Sequence, residues 1–310
     1  MKGLILLATS VNAFIQINPS HHNRPFRYAP LCAVTPIGPF CPFRSEASVE
    51  MDPIMGTMSA SPDFATEMAR LQLDMQVGKM PDPSRLQRVA SGIEEAVSHW
   101  EELLTRLNRN TDFQTKEYAT LTEAHLAKYG QSSEEIITMM RWQAKCMMSM
   151  SQNRPPPMPP PGLNIMKMIE TANNKNSKPP PSLSSMTSAG KITAVPFDEG
   201  NTFQSDIVRK EYELLCQDHS KLIKFGAQYA HFDGLGKIAF LDEIDKIHDR
   251  WDVFFTRFSL MGQLNQEFIK QCDGFLESMN ITEADFKALM KETHTMMRKE
   301  AERERGRVID

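Results

Sequence analysis

One octet occurs twice in this chain. "WEELLTRL" at 100–107 and "WDVFFTRF" at 251–258 share Trp, an acidic residue, an apolar stretch and Thr-Arg-apolar, and their tryptophans stand 151 positions apart. A repeat of that kind points to one supersecondary unit used twice. The period inside each copy says what the unit is. Phe240, Leu241, Ile244, Ile247, Trp251, Phe254, Phe255 and Phe258 recur at three- and four-residue steps, the stripe of a helix turned to a core. Leu86, Val89, Ile93, Val97, Trp100, Leu103, Leu104 and Leu107 keep the same beat in the first copy.

The ends of the helices repeat as well. Asp82-Pro83-Ser84 supplies an N-cap followed by proline at the first helical position, and Asp233 stands 151 residues on. Downstream the offset falls to 150, with Tyr118–Met140 aligned on Phe268–Met290. Both copies then carry a capping box, Ser132-x-x-Glu135 and Thr282-x-x-Asp285, where a hydroxyl accepts from a free helix amide and the acid reaches back. The second copy has an additional leading helix, "DIVRKEYELLCQDHSKLIKFGAQY", whose apolar residues are Ile207, Leu214, Leu215, Leu222 and Ile223. The matching stretch before Arg70, "MGTMSASPDF", starts the first copy late. The expected fold is all-α: two tandem small helical-bundle modules, over 63–151 and 203–310. The second has the richer aromatic core and is expected to fold by itself.

Residues 152–202 are expected to join them as a Pro-rich linker. Pro155–Pro157, Pro159–Pro161 and Pro179–Pro181 favour extended polyproline II, a semi-stiff, solvated spacer. Between the tracts, "GLNIMKMIETANN" groups Ile165, Met166, Met168 and Ile169, either bare linker, which is favoured, or a helical docking motif.

A chain of 310 residues has room for two modest domains, and a formal net charge of −4 speaks against a nucleic-acid binder. No apolar run approaches the ~20 residues that span a bilayer, so no transmembrane segment is expected. Residues 1–45 stand apart: they hold Lys2, Arg24, Arg27 and Arg44 and no acidic residue. Leu4–Ala8 form a short apolar core, and Val11 and Ala13 suit a signal-peptidase site, giving a signal peptide over 1–13. The Arg-, Ser- and Pro-bearing continuation gives a transit peptide and disordered lead-in over 14–62. With Phe14 behind Ala13, this head resembles the two-part plastid presequence of diatoms and related algae. That resemblance implies a plastid protein, in the stroma or on the stromal face of the thylakoid, of an alga with a secondary plastid. A secreted protein with a propeptide is the lesser reading, because Cys146, Cys216 and Cys272 are scattered thiols without a disulfide framework.

Four blocks in order, "FQSDIVRKEYELL", "FGAQYAHFDGLGK", "HDRWDVFFTRFSL" and "NITEADF", resemble the family called domain of unknown function eighteen twenty-five, small helical proteins of cyanobacteria. The resemblance covers about 203–297, and the first copy, about 66–148, shares it mainly through its likeness to the second. It implies cyanobacterial ancestry, and it brings no reaction and no catalytic residues with it.

Motifs for chemistry are sparse. "DGLGK" at 233–237 has His231 where a phosphate loop needs Gly and Ile238 where it needs Ser or Thr. The eight histidines form no HExxH and no Cys/His cluster. Asp245-x-x-His248 is the one fragment resembling a di-iron helix, and such bundles need two Glu-x-x-His motifs and further glutamates. Asp242, Glu243, Asp245 and Asp249, interleaved with Lys246 and Arg250, read as a solvated, ion-paired helix face. No GxSxG occurs, and the tail "RKEAERERGR" reads as a fraying helix end. The expectation is therefore no enzyme, no cofactor and no metal ligand.

Binding is the remaining class. The methionine-dense "MMRWQAKCMMSM" offers Met139, Met140, Met147 and Met148 as an adaptable surface, with half of them expected as core filler. Arg106 and Arg257 recur on the rim of the aromatic face, as interface anchors or as side chains lying over the core edge. Trp100, Trp251, Phe254, Phe255 and Phe258 are expected in the core. The expected function is a non-enzymatic stromal scaffold or adaptor that serves photosynthetic machinery, binding a protein partner through two tethered modules. The alternative is an enzyme or metal protein whose site is assembled from scattered residues.

Overall fold

The computed structural model describes residues 66–163, 197 and 205–307, apart from 68, 69, 72, 75, 76, 80, 129 and 280. The signal and transit segments, and the "GLNIMKMIETANN" stretch beyond Leu163, lie outside the described residues. Seven α-helices occur among the described residues, and no strand: α1 Pro83–Arg109, α2 Phe113–Lys128, α3 Ser133–Ser151, α4 Asp206–Gly226, α5 Gly234–Leu260, α6 Gln266–Ser278 and α7 Glu283–Arg307. A 3₁₀ turn, Tyr229–His231, leads into α5. Helices α1 and α5 are each 27 residues long.

Local chemistry sets the helix starts. Asp233 caps α5 by accepting from the Gly236 amide at 2.7 Å, and Asn265 caps α6 through the Glu267 and Phe268 amides. Both expected capping boxes form. Ser132 Oγ accepts from the Glu135 amide while Glu135 accepts from the Ser132 amide. Thr282 and Asp285 exchange the same pair of bonds at the head of α7. The glycine of "DGLGK" has a steric role: a Cβ on Gly234 would lie 2.4 Å from the Ala301 carbonyl oxygen, so only glycine lets α5 start this close to α7.

The chain divides into two compact units, and their boundaries do not follow the linear order. One unit draws on Pro53–Thr105 and Leu126–Thr187, the other on Arg106–His125 and Ser188–Asp310. The end of α1 and most of α2, expected in a self-contained module over 63–151, thus belong with the C-terminal helices. Within the first unit, Leu126, Ile136 and Met139 form a cluster against which Met140 and Leu163 pack. Trp100 and Trp142 are buried there too, and Trp142 Nε1 donates to the Pro157 carbonyl at 3.1 Å. The first proline tract is therefore not purely solvated spacer: its carbonyl is used by a core tryptophan, and Leu163 adds apolar contact.

The second unit is built on aromatics. Trp251, fully buried at 0% exposure, packs with Tyr212, Phe254, Phe255 and His219. Phe197 corrects the expected linker boundary at 202. It is buried against Tyr212, Phe254, Phe255 and Phe258 and forms an antiparallel bridge with Leu264, because a large apolar ring gains more in that pocket than in water. Phe113, from α2, sits with Tyr229 and Phe240 at ring distances of 5.3 and 4.9 Å, so 203–310 is not a complete module. Thr111 ties the same segment down, donating to the Ala227 carbonyl and accepting from the Ala230 amide.

Two smaller expectations also change. The buried face of α4 is Val208, Leu215, His219, Ile223 and Gly226, while Ile207 and Leu214 face outward. The tail is not a fraying end: Ala301 is fully buried, and Lys237 pairs with Glu304 at 2.5 Å.

Candidate metal centre

Three helices of the second unit bring a polar group into its apolar interior. On α2, Phe113, Glu117, Leu121 and Ala124 share the buried face; on α7, Phe286, Leu289, Met290, Thr293, His294, Met297 and Ala301 do. Glu117 and His294 are thus charged or polar side chains set within apolar stripes. The third helix, α5, contributes Asp245 and, one turn on, His248.

His294 is the hub. Its Nδ1 lies 2.7 Å from Asp245 Oδ1 and its Nε2 lies 2.8 Å from Glu117 Oε1. Arg298, one turn further along α7, reaches Asp245 Oδ2 at 2.5 Å and also pairs with Asp242. The His248 ring stacks on His294 with centroids 5.3 Å apart and an 18° tilt. Within this cluster, Glu117 Oε2 and His248 Nε2 are buried and have no hydrogen-bond partner among the described residues. Buried polar atoms are usually paired, so these two leave room for a further partner beside His294.

The electrostatics follow from position. Burial works against charge on Asp245, but the hydrogen bonds and charges of His294 and Arg298 outweigh it and hold the carboxyl at about 2. Burial likewise opposes charge on His294, yet its two carboxylate neighbours raise it to about 9. Burial lifts the Glu117 carboxyl above the ordinary carboxylate range, against the pull of His294. Burial, and then the charge of His294, pushes His248 well below the ordinary histidine range, leaving a neutral imidazole. Neutral imidazole is the ligating form. Asp245, His248 and His294 offer ligand atoms that all lie within 4.8 Å of one another. A four-coordinate ion holds its ligands about 3.4 Å apart, so seating one would open the 2.7 Å contact between Asp245 and His294, release the proton held between them to solvent and bring His248 alongside.

The Asp245-x-x-His248 fragment was legible as a metal-type spacing, while its partners were not. His294 and Glu117 lie 49 and 128 residues from Asp245 in a chain without another motif between them. The one available signal was a polar residue interrupting an apolar helical stripe. Asp245 departs from the expected solvated face because Arg298 and His294 draw it inward, whereas Lys246 with Glu243 and Arg250 with Asp218 do form ion pairs. The expected interaction residues are dispersed. Met139 and Met147 are core, Met140 and Met148 are half-buried, and Arg106 and Arg257 are exposed, the latter 4.0 Å from Glu211.

A third histidine, His219, should make the fold acid-sensitive. His219 is fully buried against Trp251, and burial lowers it to about 3. Its folded value lies below the ordinary ~6.5, so unfolding takes up a proton between those limits. Stability from this group is full above about pH 6.5 and falls by about 1.4 kcal/mol per pH unit below it. His219→Leu should flatten the slope of unfolding free energy between pH 4 and 6 by that amount; an unchanged slope would mean His219 is not held neutral.

Residues 200–301, about a third of the chain, match the family described as Domain of unknown function (DUF1825). Asp245, His248 and His294 fall inside that match and Glu117 falls outside it. No curated protein and no solved structure matches the chain.

Proposed function

We propose that this chain, whose second half carries that helical domain, is a metal-binding protein with a site assembled from residues far apart in sequence. The reading rests on Asp245, His248 and His294 converging, with the buried Nε2 of His248 unpaired among the described residues. Two imidazoles and a carboxylate suit a divalent first-row transition ion better than calcium or magnesium. The Asp245 side chain is 45% exposed, which gives an ion a route in and leaves coordination positions open on that side. Chelator-treated chain titrated with Zn²⁺ should bind one equivalent, and His248→Ala or His294→Ala should abolish it. Zinc uptake unchanged in the double variant sinks the proposal.

A second reading, the protein-binding adaptor, is favoured by a separate observation. Ile207 and Leu214 on α4, Val253 and Leu260 on α5, and Met261 just past its end are exposed, with Ile207 at 79% and Leu260 at 81%. The Arg257–Glu211 pair places the two rows side by side at seven-residue spacing, the seam that a third helix fills. The proposed occupant is an amphipathic helix of a photosynthetic protein. A photocrosslinker at Val253 should trap one such protein, and Leu260→Lys should prevent it; crosslinks to a second copy of the chain would make the face a self-interface instead.

The proposed address is the plastid, supported by the acid-free head and by Phe14 behind Ala13. A fluorescent fusion to residues 1–62 should enter a diatom-type plastid, and Phe14→Ala should arrest it outside; import by that variant counts against the address. Tandem duplication of a cyanobacterial module is supported by the equal lengths of α1 and α5 and by starts of α3 and α7 that are 150 residues apart. A sequence profile built on 83–151 alone should recover 234–307, and failure to do so removes this support.

A further inference from the structure

We infer that Glu117 is a positioning residue for the metal centre: it holds the Nε2–H of His294 and so presents Nδ1 to the ion. The inference rests on the metal-binding reading and deepens it. An imidazole offers a metal one nitrogen while the other carries a proton, and the hydrogen bond made by that proton decides which is which. Here the two ring edges face different carboxylates. Nε2 meets Glu117, which is 0% exposed and lies outside the group of three converging ligands. Nδ1 meets Asp245, which belongs to that group along with His248. The ion therefore sits on the Nδ1 side, and Glu117 acts from behind the ring.

The placement of Glu117 is enforced rather than incidental. It lies one turn after Phe113 on the same buried face of α2. Phe113 is locked among Tyr229, Phe240 and His294, the last at 6.3 Å between ring centres. Register between α2 and α7 is thereby set by aromatic packing, and the carboxylate follows. Its low-dielectric surroundings strengthen the bond to Nε2. At the offset of the repeat, the positions corresponding to Asp245, His248 and His294 are Glu94, Val97 and Ala144, which make no equivalent ligand set. One copy thus supplies all three ligands and the other supplies the carboxylate that orients one of them.

Two measurements on the full chain test this. Long-range ¹H–¹⁵N spectra of the histidine rings in the Zn²⁺-loaded chain should show His294 ligated through Nδ1 with its proton on Nε2. Glu117→Gln, which keeps the shape and removes the charge, should weaken Zn²⁺ binding by about 10- to 100-fold, while far-UV circular dichroism of the metal-free chain stays unchanged. Ligation through Nε2 overturns the inference whatever the variant does, so a Glu117→Gln chain that fails to fold leaves the test intact. Equal affinity in the variant also overturns it while leaving the metal site standing. Absence of Zn²⁺ binding by the unaltered chain overturns the metal reading and this inference together.

Discussion

Replacing Trp251 with alanine should remove about 3–5 kcal/mol from the stability of the second unit, the range for aromatic-to-alanine changes in cores. Its indole is completely buried and touches Tyr212, His219, Phe254 and Phe255, rings that reach it from both α4 and α5. Tyr212 also stacks on Phe254 across the same two helices, so the helices stay in place and the space left by the indole is not refilled. The indole N–H has no partner among the described residues, so ring contact and burial, not hydrogen bonding, hold it there. Urea unfolding followed by far-UV circular dichroism should show the midpoint falling at nearly constant slope. A loss below about 1 kcal/mol would mean that the aromatic cluster repacks and that Trp251 is not its anchor.

Phe113→Ala should act at a distance in sequence. The residue precedes α4 by more than ninety positions, yet its ring lies against Tyr229 and Phe240, and it is 1% exposed. The expected cost is again about 3–5 kcal/mol, falling on the unit built from α4 to α7. Hydrogen exchange resolves where it falls. Amides of α4 and α5 should lose protection together, since one cooperative unit opens as a whole. Loss confined to α1 and α3 would show that the segment 106–125 does not belong with the C-terminal helices. The same variant loosens the support under Glu117, so its Zn²⁺ affinity should fall along with its stability.

Much of this architecture was readable along the chain because helices are local objects. A three- to four-residue apolar beat and an Asp, Ser or Thr before it, joined at α3 and α7 by an acid three residues on, specify where α1, α3, α5 and α7 begin, since each of those interactions spans four residues or fewer. The burial of Trp100, Trp251, Phe254, Phe255 and Phe258 followed from the same beat. Periodicity was less secure on α4, where Ile207 and Leu214 are apolar yet exposed: the pattern allows more than one stripe, and the neighbouring helix selects between them.

Which helices share a core was decided only in three dimensions. The repeat suggested that each copy packs on itself, and nothing in α2's own sequence says that Phe113 lies with Tyr229 and Phe240 or that Phe197 joins the rings of α5. Hydrophobic burial is non-directional and proportional to area, so an apolar stripe states that it will be covered and not by what. The candidate metal centre shows the same division most clearly. Asp245 and His248, one turn apart on a single helix, were visible as a fragment. Glu117 and His294 meet them because tertiary packing fixes the register of α2 and α7 beside α5, and a hydrogen bond of 2.7 to 2.8 Å exists only once that register is set.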